Sequence, residues 1–170
     1  LAAHLSLAFL IIGYIFWILF ELLYPERIKS KKPKPLTKLL WFFLAVLSIQ
    51  IVYGAFVAGL DAGLTHNTFP KMASHWVPLS LLEADAGIIH SFFEDKVGVQ
   101  FVHRSIAWLI LALGVFLFFG LRKVDEFKYK RSIQYLLLML LTQFSLGVMT
   151  LLMLVPVGLA SAHQVGACIM

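Results

Sequence analysis

A chain of 170 residues that is 61% hydrophobic and only 14% charged does not belong with soluble globular domains, where apolar residues run to roughly half and charged ones to about a quarter. Its formal net charge of +5 is clustered beside apolar runs, as topology signals are, which argues against a nucleic-acid partner. Its single cysteine, Cys168, excludes an intrachain disulfide and, placed in an apolar run, reads as a buried inert thiol.

The apolar residues fall into runs of about 20, the length that crosses a bilayer at 1.5 Å rise per residue. The first spans 3–23. The second, 38–59, follows a basic segment, "ELLYPERIKSKKPKPLTK" (21–38), with six Lys/Arg against two Glu; Pro33 and Pro35 are expected to hold that connection extended. A long acidic connection, 60–99, leads to the third run at 100–121. A second basic connection, 121–131, precedes the fourth run at 132–154, and a fifth begins at 157 and stops at Met170. The expected fold is therefore all-α, a polytopic transmembrane bundle with five spans, the last one truncated. Both ends read as cut within a longer protein, and neither reads as a signal peptide. Lys/Arg excess marks the cytoplasmic or matrix side, so the two basic connections are assigned inside and 60–99 outside.

That topology brings three histidines to one depth. His103 lies ~28 Å above the inner boundary and His4 ~25 Å above it, at 1.5 Å per residue, while His163 follows the outer turn "VPVG" (155–158) by five residues. Each has an alanine at +4, Ala8, Ala107 and Ala167, which in a helix lies one turn below on the same face. The spans between them share another pattern, "QIVYG" (Gln50, Gly54) and "QFSLG" (Gln143, Gly147), so the chain reads as an internal repeat of a Q-x-x-x-G helix followed by a histidine helix. A histidine inside a membrane can simply tie helices together. Three at one depth, each above a small residue, point instead to axial ligation of a haem by neutral imidazoles. Zinc would need three or four ligands converging on one point, which the sequence does not supply. Arg104, at the water boundary, is either a snorkelling interfacial residue or a partner for haem propionates.

In the long connection, Phe69, Met72 and Trp76 at spacings of 3 and 4 suggest an amphipathic helix lying on the membrane surface. Its length suggests an ordered segment, with a lid over the haem site as its role. His66, His75 and His90 are read as ordinary interfacial or solvated histidines, and Glu94 and Asp95 as solvated charges.

"GAFVAGLDAGLTHNTFPKM", "VQFVHR" and, after an outer turn, "AHQ" together resemble the haem A synthase family, in the branch of mitochondria and many proteobacteria; the absence of a cysteine pair in the outer connections fits that branch. His66 stands where an aromatic or aliphatic residue is expected. The resemblance covers essentially the whole chain and implies an eight-helix protein of two four-helix halves. Residues 1–24 would be the last helix of the N-terminal half, 25–37 the basic inner connection and 38–170 the C-terminal half, which starts the chain at the fourth helix and ends it early in the eighth.

The resemblance further implies that His103 and His163 ligate the iron of a haem b, with Arg104 beside it, and that His4 faces the substrate, haem O. The C8 methyl of haem O would be oxidised to a formyl group, making haem A for terminal oxidases, with haem O synthase as a candidate partner and homo-oligomers left open. A second substrate histidine and a catalytic glutamate would lie on a helix outside this chain, so the chain alone is expected to be inactive. The implied location is the bacterial or mitochondrial inner membrane, with the histidine sites near the periplasmic or intermembrane face. Two rivals fit less well. A transmembrane b-type electron-transfer cytochrome needs histidines near both faces, and 15–45 and 115–140 hold none. A proton-relay transporter needs ionisable groups near mid-membrane, where only Gln50 and Gln143 occur.

Overall fold

The structure is a computed structural model describing residues 2–25, 34–83, 87–121 and 127–170. Four long helices follow the four apolar runs: α1 (Ala2–Leu23), α2 (Lys34–Gly59), α5 (Lys96–Leu121) and α6 (Phe127–Leu152). Each is long and apolar enough to cross a membrane. A shorter apolar helix, α7 (Val157–Ile169), occupies the fifth run, and two short helices, α3 (Leu79–Leu82) and α4 (Ile88–Glu94), lie in the long connection. The described residues thus form an all-α bundle. The expected inner connections lie partly outside the described residues: Pro33 and the basic residues of 26–33 do, and so do Arg122 and Lys123; Asp85 of the long connection does as well.

Two local expectations differ from the fold. Pro35 falls in the first turn of α2 rather than in an extended connection; a first-turn residue has no intrahelical use for its N–H, so proline is tolerated there. The segment carrying Phe69, Met72 and Trp76 forms no surface helix. It is irregular, with Ala73 at a φ of 53°, a bridge between Met72 and His75, and the Thr68 hydroxyl donating to the Lys71 carbonyl at 2.9 Å while accepting from the Ala73 N–H at 2.8 Å. A side chain that satisfies the backbone locally competes with helix, and Pro70 removes a donor. Met72 consequently points inward, 3% exposed, while Trp76 is 63% exposed.

The bundle is organised around α5, which packs against α2, α6 and α4; α7 packs on α6, and α1 on α2. Phe43 and Val46 of α2, Ile110, Leu117 and Leu121 of α5, and Ile133 and Leu140 of α6 form one apolar core. Gly114 sits at the crossing of α5 and α6, where a Cβ would collide with the end of Leu140; small residues let helices approach closely where there is no water to drive them together. The outward faces are mostly apolar, including Phe16, Trp17, Phe42 and Phe116. Hydrocarbon solvates such faces without cost, whereas water would not. The protein is an integral membrane protein.

Candidate haem-binding cleft

The helix directions converge on one end of the bundle. There α2 ends, α5 begins, α6 ends and α7 begins, and the long connection joins them. His103 is the eighth residue of α5 and His163 the seventh of α7, which puts both a short way inside that end. Both line a single cleft holding about 780 Å³ of empty space, part of it open to the outside.

The Q-x-x-x-G pattern now has a physical meaning. Gln50 on α2 brings its amide nitrogen to 3.4 Å from Nε2 of His103 on α5. One turn on, Gly54 faces the same ring, and a Cβ there would stand 3.4 Å from Cε1 of His103. The second copy repeats the relation: Gly147 on α6 faces His163 on α7, with a Cβ at Gly147 coming within 3.1 Å of Cε1. Gln143 lies against α7 where Gly166 leaves room for its amide. In each repeat, then, the histidine of one helix lies against a stretch of the preceding helix's backbone that has no side chain.

The polar atoms of the cleft carry a second signal. Among the described residues, the buried side-chain nitrogens and oxygens without a hydrogen-bond partner are Gln50 Oε1, Gln100 Oε1, His103 Nδ1, Arg104 Nη1, Gln143 Oε1 and His163 Nδ1. All six belong to residues lining this one cleft. Buried polar groups are ordinarily paired, and leaving one unpaired costs about 1–3 kcal/mol, so their concentration in a single cavity marks a place built for a ligand.

Arg104 does something that neither expectation named. Its Nη2 donates to the carbonyls of Thr68, Pro70 and Lys71 at 2.8, 3.0 and 3.2 Å, and its guanidinium lies 5.8 Å from the Phe69 ring centroid. It therefore pins the long connection onto α5, while Nη1 stays unpaired in the cleft. Two further side chains fasten the same connection, and sequence reasoning assigned neither a role. Asn67 donates to the Gly63 carbonyl at 2.9 Å and to the Leu151 carbonyl at 2.8 Å. Gln100 donates to the His66 carbonyl at 3.1 Å. Their presence in "LTHNTFP" and "VQFVHR", polar amides amid apolar neighbours, was the available signal. Phe69, Trp108 and Phe144 complete one wall: Phe69 stacks on Trp108 at 5.8 Å, and Phe144 meets Trp108 edge-on at 4.8 Å.

Other sequence candidates fall elsewhere. His4 is exposed near the start of α1 and does not line the cleft. His66 is half-buried, His75 is exposed, and His90 is exposed and paired with Glu94 at 3.2 Å. Among the described residues no three His, Cys, Asp or Glu side chains converge in a way that could hold a metal ion.

The whole chain, residues 1–170, matches the COX15-CtaA family, described as cytochrome oxidase assembly protein. The chain belongs to that family. Among its relatives, the heme A synthase of Flavobacterium johnsoniae is 41% identical over 169 residues, covering 98% of this chain and 49% of its own length. The heme A synthase of Nitrosospira multiformis is 39% identical over 173 residues, covering 100% and 48%, and that of Dinoroseobacter shibae 37% over 174 residues, covering 99% and 45%. The chain spans about half the length of these curated relatives. No solved structure matches it significantly.

Proposed function

We propose that this chain is the haem-b-binding part of a haem A synthase, a membrane oxidoreductase that converts the C8 methyl of haem O to a formyl group. The observation that carries the reading is the pair of imidazoles, His103 on α5 and His163 on α7, that share one cleft and each keep a buried ring nitrogen without a protein partner. Axial ligation to haem iron uses the imidazole nitrogen that carries a lone pair, and the other ring nitrogen keeps its proton for a partner. A haem held there supplies a one-electron redox centre.

The chain's own residues then have distinct tasks. His103 on α5 and His163 on α7 would hold the iron, and the Gln50 carboxamide, turned so that its unpaired oxygen accepts the ring N–H, steadies the His103 ring as an outer-shell partner. Arg104 offers Nη1 to a propionate, an ion pair strengthened by the apolar surroundings. Phe69, Trp108 and Phe144 shield one side, and the connection pinned by Arg104, Asn67 and Gln100 covers the cleft and limits water. His4 serves a separate substrate site for haem O, in a four-helix half of which residues 1–24 form the last helix; residues 38–170 belong to the cofactor half. The cleft end faces the periplasm or intermembrane space, because the basic connections mark the opposite side. The product serves terminal oxidase assembly, with haem O synthase as the natural supplier.

The test is a reduced-minus-oxidised absorption spectrum of the full-length protein beside His103→Ala and His163→Ala. A low-spin b-type spectrum lost in both variants is expected. Unchanged haem in both would sink the ligand assignment.

A further inference from the structure

The two copies of the Q-x-x-x-G pattern are not equivalent. At Gly54 a Cβ would stand 3.4 Å from Cε1 of His103 and 4.0 Å from its Nδ1, close to ordinary van der Waals contact between carbon atoms. At Gly147 it would meet three atoms of the His163 ring, Cε1 at 3.1 Å, Nε2 at 3.4 Å and Nδ1 at 3.7 Å. A methyl fits at the first site with little adjustment. At the second it fits only if the ring gives way by a few tenths of an ångström. His163 lines the cleft, so a ring that gives way there changes its stance in the site.

We propose that Gly147 is a positioning residue for His163: the bare backbone of α6 serves as the surface against which this imidazole is seated, and so fixes the plane it presents to a haem iron, whereas Gly54 is permissive toward His103. The inference rests on the haem reading above and deepens it. Its physical content is that axial-ligand orientation, which the groups around a ligating ring fix, is set in one half of the repeat by the absence of a Cβ on the preceding helix. Both glycines appear in the sequence as the same motif; only the distances separate them.

The test uses the full-length protein and four forms: wild type, Gly147→Ala, Gly54→Ala and Gly120→Ala. A Cβ at Gly120 meets nothing within 4 Å, so that variant reports the general effect of Gly→Ala in a spanning helix. The readouts are the low-field electron paramagnetic resonance line of the oxidised low-spin haem, which follows ligand-plane orientation, and the haem midpoint potential. A shift of both in Gly147→Ala, or selective loss of its haem, with Gly54→Ala and Gly120→Ala like wild type, is expected. Unchanged readouts in Gly147→Ala, or an equal change in Gly54→Ala, overturn the inference and leave the haem reading standing. A wild type without haem overturns the haem reading, and the inference falls with it.

A thermal-unfolding cycle covers the case in which Gly147→Ala accumulates poorly. Gly147→Ala should lower the unfolding temperature when His163 is present and act no differently from Gly120→Ala in a His163→Ala background, because the coupling of two residues in contact disappears when one partner is removed. Equal losses in both backgrounds would place the strain elsewhere and refute the positioning role.

Discussion

Asn67, in the long connection, donates through Nδ2 to the Leu151 carbonyl at 2.8 Å, bridging 84 residues of sequence to the last turn of α6. The same nitrogen donates to Gly63 at 2.9 Å. One amide thus closes the connection on itself and ties it to the helix that carries Gly147. Replacing Asn67 by Ala removes both bonds, at roughly 0.5–1.5 kcal/mol each. The expected outcome is a thermal transition lowered by a few degrees and faster cleavage of the connection by added protease. Asn67→Asp should be worse than Asn67→Ala, since a carboxylate sets a negative charge against two carbonyl oxygens.

Arg104 separates charge from shape. Arg104→Lys keeps a cation near the cleft but has one terminal nitrogen, so it cannot bond the three carbonyls and still leave a second nitrogen for the cleft, nor place a planar group over Phe69. Arg104→Ala loses both. With charge-assisted hydrogen bonds contributing about 1.5–3 kcal/mol, haem retention should fall by roughly 10- to 100-fold in Arg104→Ala, with Arg104→Lys in between. Haem-to-protein ratios through purification, measured by pyridine haemochrome, check this order.

Gln50→Leu tests the outer-shell partner of His103. The substitution keeps approximate volume and removes the amide 3.4 Å from the ring. Loss of such partners commonly weakens metal-site affinity about 10- to 100-fold. Haem titration of the apoprotein should show a weaker site that still gives a low-spin spectrum, because both imidazoles remain. A high-spin spectrum would mean that Gln50 does more than steady the ring.

His4 lies outside the cleft, so His4→Ala should leave the b-type spectrum and haem b content at wild-type levels. If His4 serves the haem O site, haem A content in membranes of cells expressing the full-length variant should collapse. Haem extraction and chromatography measure both pigments in one sample. Loss of haem b would contradict the separation of the two sites.

Much of this protein was legible along the chain. The four long helices coincide with apolar runs because partition into hydrocarbon depends on the local count of apolar side chains. His103 and His163 stood out because a histidine inside such a run is costly, and the Q-x-x-x-G repeat was visible as a pattern. Its purpose was not. The Gln50–His103 relation joins residues 53 apart, and whether a glycine faces an imidazole depends on how two helices are rotated about their axes, which composition does not encode. The Phe69–Met72–Trp76 spacing failed for a related reason: periodicity describes a helix only when no side chain offers the backbone another partner, and Thr68 does. Arg104 likewise looked like a single choice between interface and ligand until the connection folded back over it and engaged one of its terminal nitrogens. Burial in a membrane is summed residue by residue and can be read in sequence; contacts between distant residues arise from packing, and packing decided the site.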